Sequence, residues 1–231
     1  MPPSDDQPNT TGASSRRRNR LVAAILAAVL GIGGASMVGY AVDHQQVAPQ
    51  PSLTAADPQG PQSAALAPLP SAVALSAARP TFIRIPAINV SSPVNSVGLN
   101  PDHTMEVPQP GPLYDQPAWY RYSPTPGERG PSVIIGHVDS AKEGPSVFFT
   151  LGALKPGQRI AVARADGTTA AFEVDSVESF PKDSFPVRDV YGDTDYAALR
   201  LITCGGSFDE RTHSYRNNIV VFAHLTGPAP A

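Results

Sequence analysis

The chain has 231 residues and a formal net charge of −3, enough for one domain with a real core plus a substantial tail. It lacks the basic excess that phosphate neutralisation requires, which removes nucleic acid from the expected partners. Pro (26) and Gly (19) are abundant and aromatics make up only 7%, pointing to turns and linkers around an aliphatic, strand-rich core, while a single cysteine, Cys204, rules out an intrachain disulfide.

In chain order, residues 1–20 read as a cytoplasmic tail, polar at first and ending in the basic run Arg16 to Arg20. No charged residue occurs from Leu21 to Val42, and this stretch is long enough at ~1.5 Å per residue to cross a ~30 Å hydrocarbon layer. It is expected to be a transmembrane signal anchor, since it exceeds the ~7 to 15 apolar residues of a cleaved signal peptide. Arginines before it and Asp43 after it place the N-terminus in the cytoplasm and the remainder outside the cell, giving a single-pass membrane protein. Residues 43–79 are rich in Pro, Ala, Gln and Ser and read as a linker, with a reach on the order of 100 Å if extended and about 30 Å as a coil.

The folded domain is expected over residues 80–227, followed by a short tail at 228–231. Strand-like runs occupy Thr81 to Ile85, Ser132 to Gly136, Arg159 to Arg164, Thr169 to Val177, Leu199 to Cys204 and Asn218 to Leu225. Asp166-Gly167 is a two-residue hairpin signal that pairs its flanking strands antiparallel. The stretch from Gly98 to Pro131 is Pro-rich and reads as irregular, held by Trp119, Tyr120 and Tyr122. These features predict a mainly β, closed or nearly closed antiparallel barrel with short helices in its connections.

Cys204 ends the apolar run LRLIT and precedes Gly205-Gly206, so it is expected at a strand end, where side chains are exposed. A free thiol is mostly protonated at neutral pH and needs a base or cation beside it to act as a nucleophile. His137 stands in the same context, directly after SVIIG, and Arg216 lies just ahead of NNIVVFA, at the start of a strand able to pair with that of Cys204. A guanidinium there suits polarisation of a scissile carbonyl and stabilisation of an oxyanion. Arg211 is a second cationic candidate; Thr203 reads as a groove-lining, substrate-binding residue with a purely structural strand role as the alternative, and Asp139 and Asp209 read as turn or solvated residues with orientation of His137 or Arg216 as the alternative. No grouping has zinc-ligand spacing, so neither a metal nor a cofactor is expected.

Three motifs carry a resemblance. GHVD at 136–139, LITCGG at 201–206 and YRNNIVVFA at 215–223 resemble the sortase family in its order of His, Cys and Arg. The run PGERGPSVIIGHVD at 126–139, with GSFD at 206–209, looks most like the class F sortases of high-GC Gram-positive bacteria, with class E next. The resemblance implies an eight-stranded sortase-type barrel and a cysteine transpeptidase acting on an LPxTG-like sorting signal. Cys204 would form a thioester, His137 would shuttle the proton and Arg216 would hold the oxyanion or the substrate backbone. The implied partners are surface proteins bearing the signal and a peptidoglycan amine of the cell wall. Two other readings stand beside this one: a membrane-tethered, non-catalytic binding module on the same barrel, and an L,D-transpeptidase, whose His and Cys would lie close together in an SHGC-type motif absent here.

Overall fold

The alternating runs of the sequence become strands that outlast their apolar stretches. A computed structural model describes residues 47–51 and 73–229; the expected cytoplasmic tail and membrane anchor lie outside the described residues. Among the described residues, no helix is long and apolar enough to cross a membrane. The strands are β1 (Pro80–Ile85), β2 (Val90–Pro93), β3 (Asn95–Val97), β4 (Ala118–Tyr120), β5 (Gly130–Ile135), β6 (Asp139–Ser140), β7 (Gly144–Pro145), β8 (Arg159–Arg164), β9 (Thr169–Pro181), β10 (Ala197–Asp209) and β11 (Ser214–Ala229). The connections carry 3-10 turns at Pro86–Ile88, Leu151–Ala153 and Lys182–Ser184 and one short helix, α1 (Val187–Tyr191).

Nine strands share one sheet in the order β2-β1-β8-β9-β11-β10-β5-β4-β3, and β6 pairs with β7 separately. The two edge strands are consecutive in the chain, so the sheet curls until its edges are joined through Val94 by the backbone itself. Closure by a covalent link leaves a nearly closed barrel. This corrects the expected count of eight. Pro93 has no N–H to donate, and the segment 90–97 breaks there into β2, which pairs with β1, and β3, which pairs with β4. The expectation of a wholly antiparallel barrel is corrected too, because β5 runs parallel to β10 and β3 parallel to β4. Both β5 and the first part of β10 are buried on both faces, which explains why their sequences read as continuous apolar runs.

The hairpin at Asp166-Gly167 forms as expected: Gly167 takes φ +81°, and the Asp166 carboxylate accepts hydrogen bonds from the Thr168 N–H and hydroxyl. Alternation along β8 and β9 sends Ile160, Val162, Ala170, Phe172 and Val174 into the barrel, where they meet Leu199, Leu201, Ile219 and Val221. A second apolar layer covers the outside of the same strands. It joins Ile135, Ile202 and Val220 to Val190 of α1, with Phe180, Phe185 and Tyr191 packed against it.

Residues 73–79, placed by sequence in the linker, run along the barrel: Leu75 donates its N–H to Gly127 O at 2.8 Å and Ala78 donates to Thr125 Oγ1 at 3.0 Å. Ala48 is buried, and Gln50 Oε1 accepts the Gly206 N–H at 2.9 Å.

Candidate active site

The outer face of the sheet changes character along the strands, and the change sets the site. Ile202 of β10 lies beside Ile135 of β5 in parallel register, and Gly136 N–H donates to Ile202 O at 3.1 Å. The paired register ends there; Cys204 and His137 follow two residues further along each segment, and a charge on Cys204 is felt by Tyr114, the ring on which His137 stacks. On the other side of β10, Cys204 is opposite Asn218 of β11, and Asn218 is opposite Phe180 of β9. One row therefore crosses three strands, from Phe180 through Asn218 to Cys204, and His137 follows the end of the neighbouring strand β5. Arg216 sits one step further out on β11, two residues from Asn218 and on the same face.

The glycines after the nucleophile candidate have separate reasons. A Cβ on Gly205 would stand 2.6 Å from Ile219 Cγ1, so no side chain fits there. Gly206 has φ +74°, and the ladder with β11 slips between Gly205 and Phe208. The bulge ends regular pairing directly beyond Cys204, leaving its side chain half-buried at the rim of the barrel.

His137 is held from two sides. Its ring stacks on Tyr114, with centroids 4.1 Å apart and planes 8° from parallel, and Nε2 lies 2.7 Å from Pro108 O. A carbonyl can only accept, so Nε2 carries the proton in this arrangement. Tyr114 in turn donates its hydroxyl to Asp139 O at 2.9 Å, while the Tyr215 hydroxyl donates to the Asp139 carboxylate. Both phenols are pushed above their ordinary value of 10.0, first by burial; the Asp139 charge adds to this, as does a negative charge on Cys204. They are thus donors, not anions, throughout the neutral range.

Arg216 is two-thirds exposed and turns to Asp209, Nη2 to Oδ2 at 3.3 Å. Asp209 also accepts the Arg211 N–H at 3.0 Å, so it serves the turn and the guanidinium together. Arg211 itself is exposed in the β10–β11 turn. Thr203 faces the barrel interior opposite Ile219, on the side away from the thiol. Its hydroxyl is buried with no hydrogen-bond partner, so its side chain does not reach the groove. Beside the Pro108 carbonyl opens a cleft of about 520 Å³, lined by Val97, Glu106, Pro108, Pro110, Leu113 and Ala118.

A family model described as the sortase domain matches residues 83–226. The chain belongs to the sortase family. Its fold is similar to that of sortase A from Corynebacterium diphtheriae, at 21% identity and a TM-score of 0.49, covering 66% of this chain and 63% of that one. It is also similar to sortase C1 from Streptococcus agalactiae (20% identity, TM-score 0.49, 65% of this chain and 67% of that one) and to sortase C-1 from Actinomyces oris (20%, 0.47, 65% and 71%). The chain spans less than two thirds of the C. diphtheriae protein's length. No curated protein matches it.

Sequence reasoning missed Lys182, Tyr114 and Tyr215. Lys182 Nζ lies 3.5 Å from Cys204 Sγ. Its signal was a strand read as ending at Val177; had β9 been carried to Pro181, alternation would have set Lys182 on the face of Phe180 and the thiol. Tyr215 stands next to Arg216 within the quoted motif, but its partner Asp139 is distant in sequence, and only the fold joins them.

Proposed function

We propose that this sortase-family protein is a cysteine transpeptidase of the class F or class E kind, tethered to the cell membrane through residues 21–42 with its barrel outside the cell. Cys204, its thiol proton passed to His137, attacks the threonyl carbonyl of an LPxTG-like sorting signal. The C–N bond breaks, a thioester forms, and the departing amine takes a proton from His137. An amine of the cell wall then displaces Cys204, giving its proton back to His137. Arg216 leaves Asp209 to meet the oxyanion or the substrate backbone as the signal enters.

The observation that supports this reading most is the convergence of three segments: Cys204 at the end of the regular β10 ladder, His137 just past the end of the adjacent strand β5, and Arg216 two residues from Asn218, the partner of Cys204. The imidazole's Nε2–H rests on a main-chain carbonyl that a leaving amine would replace. The test uses the full chain in detergent micelles with a panel of LPxTG-like peptides and an amine acceptor. Wild type should form a thioester and an amine-dependent product, and Cys204→Ala, His137→Ala and Arg216→Ala should each lose turnover by about a thousandfold or more. A folded wild type whose thiol reacts with iodoacetamide but which acylates no peptide would favour the binding-module reading.

A further inference from the structure

Two cations flank Cys204, and they are differently engaged. Arg216 reaches outward to Asp209 and stays two-thirds exposed. The Lys182 ammonium instead donates to Cys204 Sγ at 3.5 Å and to Ser214 Oγ at 2.9 Å. Ser214 Oγ passes its own proton to Tyr215 O at 3.3 Å, which leaves a lone pair aimed at the lysine. Lys182 is itself exposed, but its ammonium has two partners, one of them the sulfur.

The register explains how a residue two strands away arrives there. Pro181 is opposite Asn217, so Lys182 leaves β9 beside Arg216, one step beyond the row of Phe180, Asn218 and Cys204. Its flexible stem then spans β11 to bring the charge over the thiol. Both ends of the contact are set by strand pairing, since Lys182 begins the 3-10 turn directly after β9 and Ser214 is the first residue of β11.

We propose that Lys182 is a further catalytic residue, whose ammonium stabilises the Cys204 thiolate and leaves Arg216 to the substrate. The inference rests on the reading of Cys204 as nucleophile. Lys182 transfers no proton: it supplies charge and a hydrogen bond, and keeps all three of its own hydrogens. Its attraction to sulfur is present before acylation, weak while the sulfur is an uncharged thioester, and present again as thiolate leaves in the second step. The same contact thus favours both ends of the cycle.

Because Cys204 is the only cysteine, its labelling can be followed on the full chain in micelles without any peptide. With iodoacetamide at neutral pH and low salt, Lys182→Met should label on the order of tenfold more slowly than wild type, and Lys182→Arg should retain most of the rate. Ser214→Ala, which removes only the anchor, should lie between. High salt should narrow the gap, and alkaline pH, where the thiol ionises unaided, should close it. Equal labelling of Lys182→Met and wild type at neutral pH would overturn the proposal, and so would a deficit unchanged across pH and salt, which would report altered access. With peptide, the variant should lose kcat and keep KM. Labelling that depends on Lys182 in a protein that turns over no peptide would count against the transpeptidase reading and overturn the catalytic role of Lys182, leaving only its contact with the thiolate.

Discussion

The inner and outer faces of the β9–β11–β10 sheet are built from alternate residues of the same three strands, yet they follow different rules. Inside, Phe172, Val174, Leu199, Leu201, Ile219, Val221 and Ala223 are almost wholly buried from one end of the barrel to the other. Outside, the face begins with a polar cluster of His224, Asp175 and Arg200, and Arg200 stacks over Phe222 at 4.5 Å. It turns apolar at Ile202 and Val220 under α1, then polar again at Cys204, Asn218 and Arg216. The inner face holds the barrel together, and the outer face is free to vary residue by residue. Chemistry placed on the outer face therefore draws its rigidity from side chains that never touch it.

The sharpest way to break that comparison is to truncate one residue on each face, three rows apart on the β10–β11 ladder. Leu201→Ala should lower unfolding stability by about 2 to 5 kcal/mol, since it removes a fully buried side chain from the barrel core. Asn218→Ala, opposite the thiol, should stay within about 0.5 kcal/mol of wild type while changing turnover. Chemical denaturation read by tryptophan fluorescence checks both, and a large loss for Asn218→Ala would mean that the outer row is structural.

The strands were legible in the sequence through burial, as a period of two in β8 and β9 and as continuous apolar runs in β5 and β10: RIAVAR coincides with β8, and each of the other five runs lies mainly within a strand. The outer site was legible only where a polar residue interrupts such a run abruptly, as His137 and Cys204 do. The polar ends of the strands were not legible. The sequence reading closed β9 at Val177, although pairing with β11 carries it to Pro181, because backbone ladders continue where apolar alternation has stopped. That shortfall hid Lys182. Thr203 shows the opposite effect: next to Cys204 in sequence, it belongs to the other face, as neighbours in any strand must. Barrel closure through Val94 was hidden as well, since no local pattern says that β2 and β3 meet opposite edges.

Thr203 offers a smaller and cleaner test of which face a residue serves. Its Oγ1 is buried without a partner, a cost of roughly 1 to 3 kcal/mol that a methyl group in the same place would not carry. Thr203→Val keeps the β-branch and should gain about 1 kcal/mol in denaturation midpoint analysis, with KM for peptide unchanged. A raised KM at unchanged stability would return Thr203 to the groove.

The polar cluster at the far end of the outer face gives the smallest effect, and one with a definite sign. Burial raises Asp175 above its ordinary carboxylate value of 3.8, against the hydrogen bond and charge of His224 at 2.6 Å and the charge of Arg200, with Glu173 adding to the rise. A folded value raised above the unfolded one means that folding takes up a proton in the window between them. The resulting stability is complete below 3.8 and is lost as pH rises through the raised folded value. Asp175→Asn has no such proton to lose. The difference in melting temperature between variant and wild type should therefore move in the variant's favour as pH rises from about 3 upward, whatever its starting offset, by an amount on the order of a few degrees. A difference that stays flat, or moves toward wild type, would show that His224 and Arg200 outweigh the burial of this carboxylate. The outer face would then be as firmly held at its far end as the inner face is throughout.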